Sequence, residues 1–319
     1  MPLPPGGLHA APVLSARAAG AFSVDAAPAL ALPGVVAYVD AASIPPGGSN
    51  DIIGDTIFAV GEVCYVGERI GLILADTDAA ARAGAAAVAV TYAAPTTPPI
   101  LSIADATAAG SFFDLAAVGG TKRAHGGVDA AAALAAAPHR LRGVRLSTPS
   151  QAHMYMETQA AVAFPDEGGS MKVVSGTQCV DMVQLAVAAA LALPAHAVSV
   201  TTRRLGGGFG GKSARSQPVA AAAAVAAAAT GRPVRLVLTR GEDLAMIGGR
   251  CELEVRGEGG GGKESAHWIR KTNISTPQLF FPSLPTVRVR RRLRRDGARA
   301  GPHRAVRVSG GRQVSGGRE

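Results

Sequence analysis

The stretch RLGGGFGGKSARS, residues 204–216, decides how the fold is interpreted. Gly206, Gly208 and Gly211 form the G-x-G-x-x-G pattern that is typical of dinucleotide-binding loops. The same letters also form G-x-x-x-x-G-K-S, the pattern of phosphate-binding loops in nucleotide hydrolases. Because glycine clusters also occur in flexible hinges, the surrounding sequence has to decide among three interpretations.

The flanking sequence places this loop between a strand and a helix. AVSVTT (197–202) is a β-branched run before the loop, and the Ala-rich segment 219–230 after it is closed by Gly231. VRLVLT (234–239) then predicts a further strand. A glycine loop in this position lets backbone amides approach an anionic ligand closely, which favours a binding loop over a hinge.

Both nucleotide interpretations lack a required partner. A phosphate-binding loop needs a helix that starts at its Lys-Ser, and Pro218 leaves room for only a short turn after Lys212. The strand VRLVLT ends in Thr239 rather than in an acid for magnesium. A dinucleotide loop needs an acid about 20 residues beyond its last glycine, where this chain has Thr-Gly-Arg at 230–232.

The N-terminal region alternates strands and a helix. GVVAYVD (34–40), RIGLILA (69–75) and VAVTY (88–92) predict strands, and an Ala-rich helix capped by Asp76 or Thr77 lies between the last two. We interpret the last two strands and their helix as a β-α-β unit.

A second α/β region begins near Gly126. AAVAFP (160–165) and MKVVSGTQ (171–178) predict a hairpin, and the segment 179–193 predicts a helix that Pro194 ends. This helix and the one after the glycine loop are apolar nearly all round, which predicts burial on more than one side. The predicted fold class is therefore α/β.

The basic charge is concentrated at the C-terminal end. The 319 residues carry a formal net charge of +9, but residues 251–319 hold 15 of the 32 Lys and Arg and 6 of the 23 Asp and Glu. This segment shows no sustained apolar period, which predicts disorder. Nucleic-acid binding through the basic tail is an alternative function, but Trp268, Phe280 and Phe281 all precede the arginine cluster at 288–318, which disfavours it.

The sequence predicts a cytoplasmic protein without a membrane anchor. Cys64, Cys179 and Cys251 are far apart and form no C-x-x-C pair, which fits a reducing compartment. The N-terminal segment has no basic region before an apolar core, and the chain has no apolar run of about 18 residues, the length of a membrane-spanning helix.

Five segments occur in an order typical of one enzyme family. They are YVGERIGLILADTDAAARAGAAAVAVTY (65–92), HMYMETQAAVAFP (153–165), VVSGTQ (173–178), RRLGGGFGGKSARS (203–216) and TGRPVRLVLTRGEDLAMIGGR (230–250). Over about residues 8–250 the sequence resembles the xanthine dehydrogenase and aldehyde oxidase family of molybdenum hydroxylases. The resemblance implies an α+β hammerhead-like domain at 1–115, the first part of a molybdopterin-binding α/β domain at 116–250, and a basic Gly/Arg-rich tail at 251–319 that is disordered or a gene-model artefact.

The resemblance also implies a chemistry. Family members use oxygen from water to hydroxylate a carbon beside a ring nitrogen or in an aldehyde, at molybdenum held by molybdopterin, and a carboxylate of the protein serves as the base. The implied partner is a small-molecule substrate, namely a purine, an N-heterocycle or an aldehyde, and the intact enzymes are homodimers. The 2Fe-2S and FAD domains of the full-length family are not expected in this chain.

Three site residues follow from the resemblance. Gln178 corresponds to the glutamine that approaches the oxo ligand of the metal, and its amide can donate that hydrogen bond. Gly208 and Phe209 correspond to positions whose backbone amides bind the cofactor, so that Gln178 and Phe209 are the expected contacts to the molybdenum centre. The catalytic glutamate of the family falls beyond the matched region. We expect Glu157 to be structural and His153 to be a packed or surface residue.

Two departures from the family pattern affect the function. Xanthine-specific members carry a glutamate directly after Gly-Gly-Lys, where this chain has the uncharged Ser213, and this favours an aldehyde-type substrate. After residue 250 the family sequence does not continue, so we expect the polypeptide by itself to be an inactive fragment.

Overall fold

A computed structural model describes residues 3–52, 54–95, 98–112, 130–262 and 265–273, which belong to one compact unit. The strands are β1 (Leu8–Leu14), β2 (Gly20–Asp25), β3 (Val35–Val39), β4 (Asp51–Ile52), β5 (Asp55–Thr56), β6 (Glu62–Val63), β7 (Arg69–Ala75), β8 (Ala89–Tyr92), β9 (His139–Thr148), β10 (Gln151–Ala152), β11 (Ala160–Pro165), β12 (Met171–Ser175), β13 (Val198–Thr201), β14 (Val234–Val237), β15 (Gly249–Arg250), β16 (Leu253–Gly262) and β17 (Ser265–Asn273). The α-helices are α1 (Ala27–Leu30), α2 (Asp78–Ala87), α3 (Ile103–Ala108), α4 (Ala130–Ala136), α5 (Val180–Ala190), α6 (Ser216–Thr230) and α7 (Arg240–Ile247). This mixed architecture confirms the predicted α/β class. Within the described ranges, no helix has the length and apolar composition needed to cross a membrane.

The main sheet joins strands from both halves of the sequence. Its order is β13-β12-β11-β14-β1-β7-β3, and β1 pairs in parallel with β14, so that Leu8 lies opposite Val234. Local periodicity carries no information about a pairing between such distant segments. The expected boundary at residue 115 therefore separates two regions of sequence that share one sheet.

Strand β7 forms the centre of the N-terminal region. All of its residues are buried, and β1 and β3 flank it in antiparallel pairing. The predicted bounds of β7 match the structure, and Thr77 caps α2 through its side-chain oxygen. The predicted β-α-β unit is wrong, because β8 pairs antiparallel with β2 in a separate sheet, where Phe22 lies opposite Tyr92.

The second region forms the hairpin and the two helices that were predicted. Strands β11 and β12 pair antiparallel, and α6 packs beside them with residues 216–227 buried, as its all-round apolar sequence predicts. Gly231 ends α6 with a φ of 65°. In α5, by contrast, Met182 and Leu185 are exposed, although the sequence of that helix is apolar nearly all round.

Residues 253–273 differ from the expected disorder. Strand β16 pairs antiparallel with both β9 and β17 in a three-stranded sheet. The glycine-rich sequence of β16 has no apolar alternation, and its backbone hydrogen bonds to distant β9 provide the order that local sequence does not show. Residues 274–319, with the arginine cluster and the proposed nucleic-acid contact, lie outside the described residues.

Candidate cofactor site

The glycine loop runs from the end of β13 to the start of α6. Gly207 and Gly210 have φ angles of 93° and 89°, which glycine adopts without strain. Phe209 lies between them with a φ of 51°, and its side chain is 73% exposed. A bulky residue in the left-handed region costs roughly 1–3 kcal/mol and is typical of ligand sites, so Phe209 gives this loop a strained backbone position.

Close packing leaves no space for a side chain at two glycines of the loop. A Cβ on Gly206 would lie 2.5 Å from the Cβ of Glu157, and a Cβ on Gly208 would lie 2.5 Å from Oε1 of Gln178. Both distances are too short for real carbon atoms. The G-x-G spacing is therefore explained by contacts within the protein, without a dinucleotide.

Gln178 follows β12, and the glycine loop forms hydrogen bonds with both its backbone and its side-chain amide. Its backbone N–H donates to the carbonyl of Lys212 at 2.8 Å. Its side-chain Oε1 accepts from the N–H groups of Gly210 at 3.0 Å and Lys212 at 3.3 Å. Because Oε1 is fixed as the acceptor, Nε2 is the outward end of the amide, and no described residue accepts a hydrogen bond from it.

Two backbone donors lie beside that amide. The N–H groups of Gly208 and Phe209 have no acceptor among the described residues, although Gly208 is buried. Backbone donors without a partner are rare in protein interiors. These two groups and Nε2 of Gln178 therefore fit a ligand rich in acceptor oxygens. The space that a side chain at Gly208 would fill holds the side chain of Gln178. The structure brings the three predicted residues together, while their contact with a cofactor stays a prediction.

Ser213 lies at the end of the loop and is half-buried. Its N–H donates to the carbonyl of Gly210 at 3.3 Å, and its own carbonyl accepts from Nε2 of Gln217 at 3.2 Å. Its hydroxyl forms no hydrogen bond with the described part of the chain, so it is free to contact a ligand.

Lys212 points into the protein. Its side chain is fully buried, with Nζ 2.7 Å from Oε2 of Glu157 and 5.1 Å from the ring centroid of Tyr155. The lysine of a phosphate-binding loop instead reaches outward to the phosphates. The inward direction of Lys212 contradicts the phosphate-loop interpretation.

Glu157 is the ion-pair partner of Lys212 and is poorly suited to act as a base. Burial raises the pKa of its carboxyl, but hydrogen bonds from Lys212 and the N–H of Gly206 outweigh burial and hold the pKa below its ordinary value. A carboxylate with a lowered pKa that already accepts two hydrogen bonds has little affinity for a further proton. Its contacts agree with the structural role expected from the sequence.

His153 is a packed residue beside the loop. Its ring is stacked with that of Tyr155 at a centroid distance of 6.3 Å. Burial lowers the pKa of His153, and the nearby charges of Arg215 and Arg250 lower it further. The imidazole is therefore neutral near pH 7, in agreement with a structural role.

A buried polar network beneath the loop was missed by sequence analysis. The hydroxyl of Tyr155 donates to Oδ1 of Asp243 at 2.7 Å, and the N–H of Gln159 donates to Oδ2 at 2.7 Å. Nε2 of Gln159 in turn donates to the carbonyl of Gly211 at 2.9 Å. The capping box Thr239-x-x-Glu242 at the start of α7 was a visible signal, but it says nothing about where Asp243 points.

Family models match most of the chain. Residues 2–95 match the aldehyde oxidase and xanthine dehydrogenase a/b hammerhead domain, and residues 116–265 match the molybdopterin cofactor-binding domain. These matches agree with the order of the two regions deduced from the sequence motifs.

Curated relatives and solved structures agree with the family models. Indole-3-acetaldehyde oxidase of Arabidopsis thaliana is 37% identical over 70% of this chain and 17% of its own length. Aldehyde oxidase 2 of Cavia porcellus is 41% identical over 72% of this chain and 17% of its own length. The xanthine dehydrogenase of Emericella nidulans is 40% identical over 78% of this chain and 18% of its own length. The chain thus spans less than a fifth of the length of these relatives.

Among solved structures, the aldehyde oxidoreductase of Desulfovibrio gigas aligns with a TM-score of 0.66 and 24% identity over 81% of this chain and 30% of its own. The reconstituted CO dehydrogenase of Oligotropha carboxidovorans aligns with a TM-score of 0.66 and 23% identity over 80% of this chain and 34% of its own. These likenesses show a shared fold. The cofactor of the molybdopterin cofactor-binding domain is molybdopterin with molybdenum. Because it contains this domain and the hammerhead domain, the chain belongs, as a partial member, to the aldehyde oxidase and xanthine dehydrogenase family of molybdenum hydroxylases.

Proposed function

We propose that the described residues form the cofactor-facing part of a molybdenum hydroxylase that oxidises an aldehyde or an N-heterocycle. The observation that carries this proposal is the group of unpaired donors formed by Nε2 of Gln178 and the N–H groups of Gly208 and Phe209. When bound, the cofactor supplies the molybdenum centre at which a substrate carbon is oxidised with oxygen from water.

The role of the loop is to hold donors in fixed directions. The amide of Gln178 cannot turn without breaking both hydrogen bonds to its Oε1. Donors fixed before a ligand binds stabilise negative charge without a cost of reorganisation. Gln178 and the loop amides therefore orient the cofactor, and the exposed ring of Phe209 offers an apolar surface to the substrate.

The proposal is tested by a chimera. In this chimera, residues 2–250 of this chain replace the matching region of a full-length aldehyde oxidase, which keeps the shared main sheet intact. We expect the chimera to contain as much molybdenum as the parent enzyme and to turn over aldehydes at a rate within about tenfold of the parent rate. A tenfold difference in rate corresponds to about 1.4 kcal/mol in the activation free energy. A folded chimera that lacks molybdenum, or that holds it and leaves aldehydes unoxidised, would refute the proposal.

Ser213 supports an aldehyde over a purine as the substrate. Its hydroxyl is uncharged, whereas a carboxylate there would accept charge-assisted hydrogen bonds from ring N–H groups, worth roughly 1.5–3 kcal/mol. We expect Ser213→Glu in the chimera to raise xanthine turnover relative to aldehyde turnover by at least about tenfold. Ser170→Glu, in the turn between β11 and β12, is the matched control and should leave the ratio unchanged. Equal ratios in both variants would show that Ser213 does not select the substrate.

A further inference from the structure

Glu157 closes the base of the glycine loop. Its Oε2 accepts from the N–H of Gly206 at 3.0 Å and from Nζ of Lys212 at 2.7 Å. Its own N–H donates to the carbonyl of Gly206 at 3.1 Å. Gly206 and Lys212 flank the segment that carries the unpaired amides, so one carboxylate joins the two ends of that segment.

Lys212 transmits this constraint to Gln178. The carbonyl of Lys212 accepts from the N–H of Gln178 at 2.8 Å, and the N–H of Lys212 donates to Oε1 of Gln178 at 3.3 Å. The same carbonyl accepts from the hydroxyls of Thr177 at 3.2 Å and Ser216 at 3.0 Å. The position of Gln178 therefore depends on where the backbone of Lys212 lies.

The burial of Lys212 makes its ion pair obligatory. The side chain of Lys212 is 0% exposed, while that of its partner Glu157 is 43% exposed. A buried ammonium without a counter-charge is strongly unfavourable. Removing the carboxylate alone therefore leaves an unpaired buried charge, whereas removing both groups also removes the cost of burying the charge.

We propose that Glu157 and Lys212 are positioning residues that hold the glycine loop and Gln178 in the geometry that binds the cofactor. What the loop binds rests on the proposed function. How the loop is held rests only on the contacts of Glu157 and Lys212.

The test compares the order of the loop with global stability in the full chain. Glu157→Ala, Lys212→Met and the double variant are measured by thermal unfolding and by amide hydrogen exchange with mass spectrometry. We expect Glu157→Ala to lower Tm, and the double variant to recover most of this loss. Peptides that cover residues 204–212 should nevertheless exchange at least about tenfold faster in all three variants, because each has lost the ion pair that joins the two ends of the loop. Peptides from α6 should be unchanged.

Two variants of exposed residues serve as matched controls. Nζ of Lys172 lies 2.7 Å from Oδ2 of Asp166 on the surface of the hairpin, and Glu167 follows Asp166 in the turn. Lys172→Met and Glu167→Ala should leave exchange in the loop unchanged.

The double variant decides between positioning and stability. Loop exchange that returns to the rate of the unmodified chain as Tm recovers would overturn the proposal. If Glu157→Ala does not fold, Lys212→Met and the double variant provide the same comparison. Exchange is measured without cofactor, so a negative result here leaves the chimera test of function untouched, and failure of the chimera leaves this result standing.

Discussion

Gly208→Ala should lower the aldehyde turnover of the chimera about 100-fold while changing the free energy of unfolding by less than about 1 kcal/mol. The added Cβ would lie 2.5 Å from Oε1 of Gln178 and 2.6 Å from its Cδ. The amide of Gln178 is the flexible partner in this clash, so it turns away and loses its bonds from Gly210 and Lys212. The donor Nε2 is then misplaced, and loss of one preorganised donor costs roughly 10²–10³ in rate.

Gly241→Ala is the matched control for this substitution. A Cβ at Gly241 meets no atom within 4 Å, and the residue lies in α7. Turnover should be unchanged and stability equal or higher, because alanine favours helix more than glycine does. Gln178→Leu should reproduce the loss seen in Gly208→Ala. If Gln178→Leu lost turnover and Gly208→Ala retained it, the contact between the two residues would have no role in catalysis.

Asp243→Ala should lower the free energy of unfolding of the full chain by about 3–5 kcal/mol. The carboxylate of Asp243 accepts from the hydroxyl of Tyr155 and the N–H of Gln159, and all three residues are buried. Each buried donor left without a partner costs roughly 1–3 kcal/mol. Burial raises the pKa of Tyr155, and its hydrogen bond to Asp243 raises it further, so the phenol stays protonated as a donor.

Urea-induced unfolding measures this effect. Asp181→Ala is the control, because Asp181 is exposed in the first turn of α5 and forms no hydrogen bond with the described residues. The free energy of unfolding of Asp181→Ala should fall by less than about 1 kcal/mol, the size of the interaction between a charge and a helix N-terminus. Equal losses in Asp181→Ala and Asp243→Ala would show that the buried network does not stabilise the fold.

Local signals in the sequence predicted local structure. The aliphatic run of β7 and the Ala-rich sequence of α6 carry their own period and stop signals. Strand β7 has the predicted bounds, and α6 ends at Thr230 as predicted but begins at Ser216, three residues before the predicted start. The partners of β1, β8 and β16 are distant in sequence, and no local pattern encodes them. For this reason the shared main sheet, the true partner of β8 and the order of residues 253–262 were not predicted.

The same limit applies to the site. Gln178, Gly208 and Phe209 were identified through the family resemblance, and the structure places Gln178 against the glycine loop that carries the other two. The residues Gly-Lys-Ser do not reveal whether the lysine side chain points outward or inward, and its contact with Glu157 shows that it points inward. The contact of Asp243 with Tyr155 and Gln159 likewise depends on the packing of α7.

A crystal structure of the cofactor-loaded chimera would show directly whether the three unpaired donors bind the cofactor. We predict that Nε2 of Gln178 and the N–H groups of Gly208 and Phe209 lie within hydrogen-bond distance of oxygen atoms of the cofactor. We also predict that Lys212 stays paired with Glu157. A cofactor bound away from the three donors, or the ammonium of Lys212 turned outward to contact it, would contradict the account.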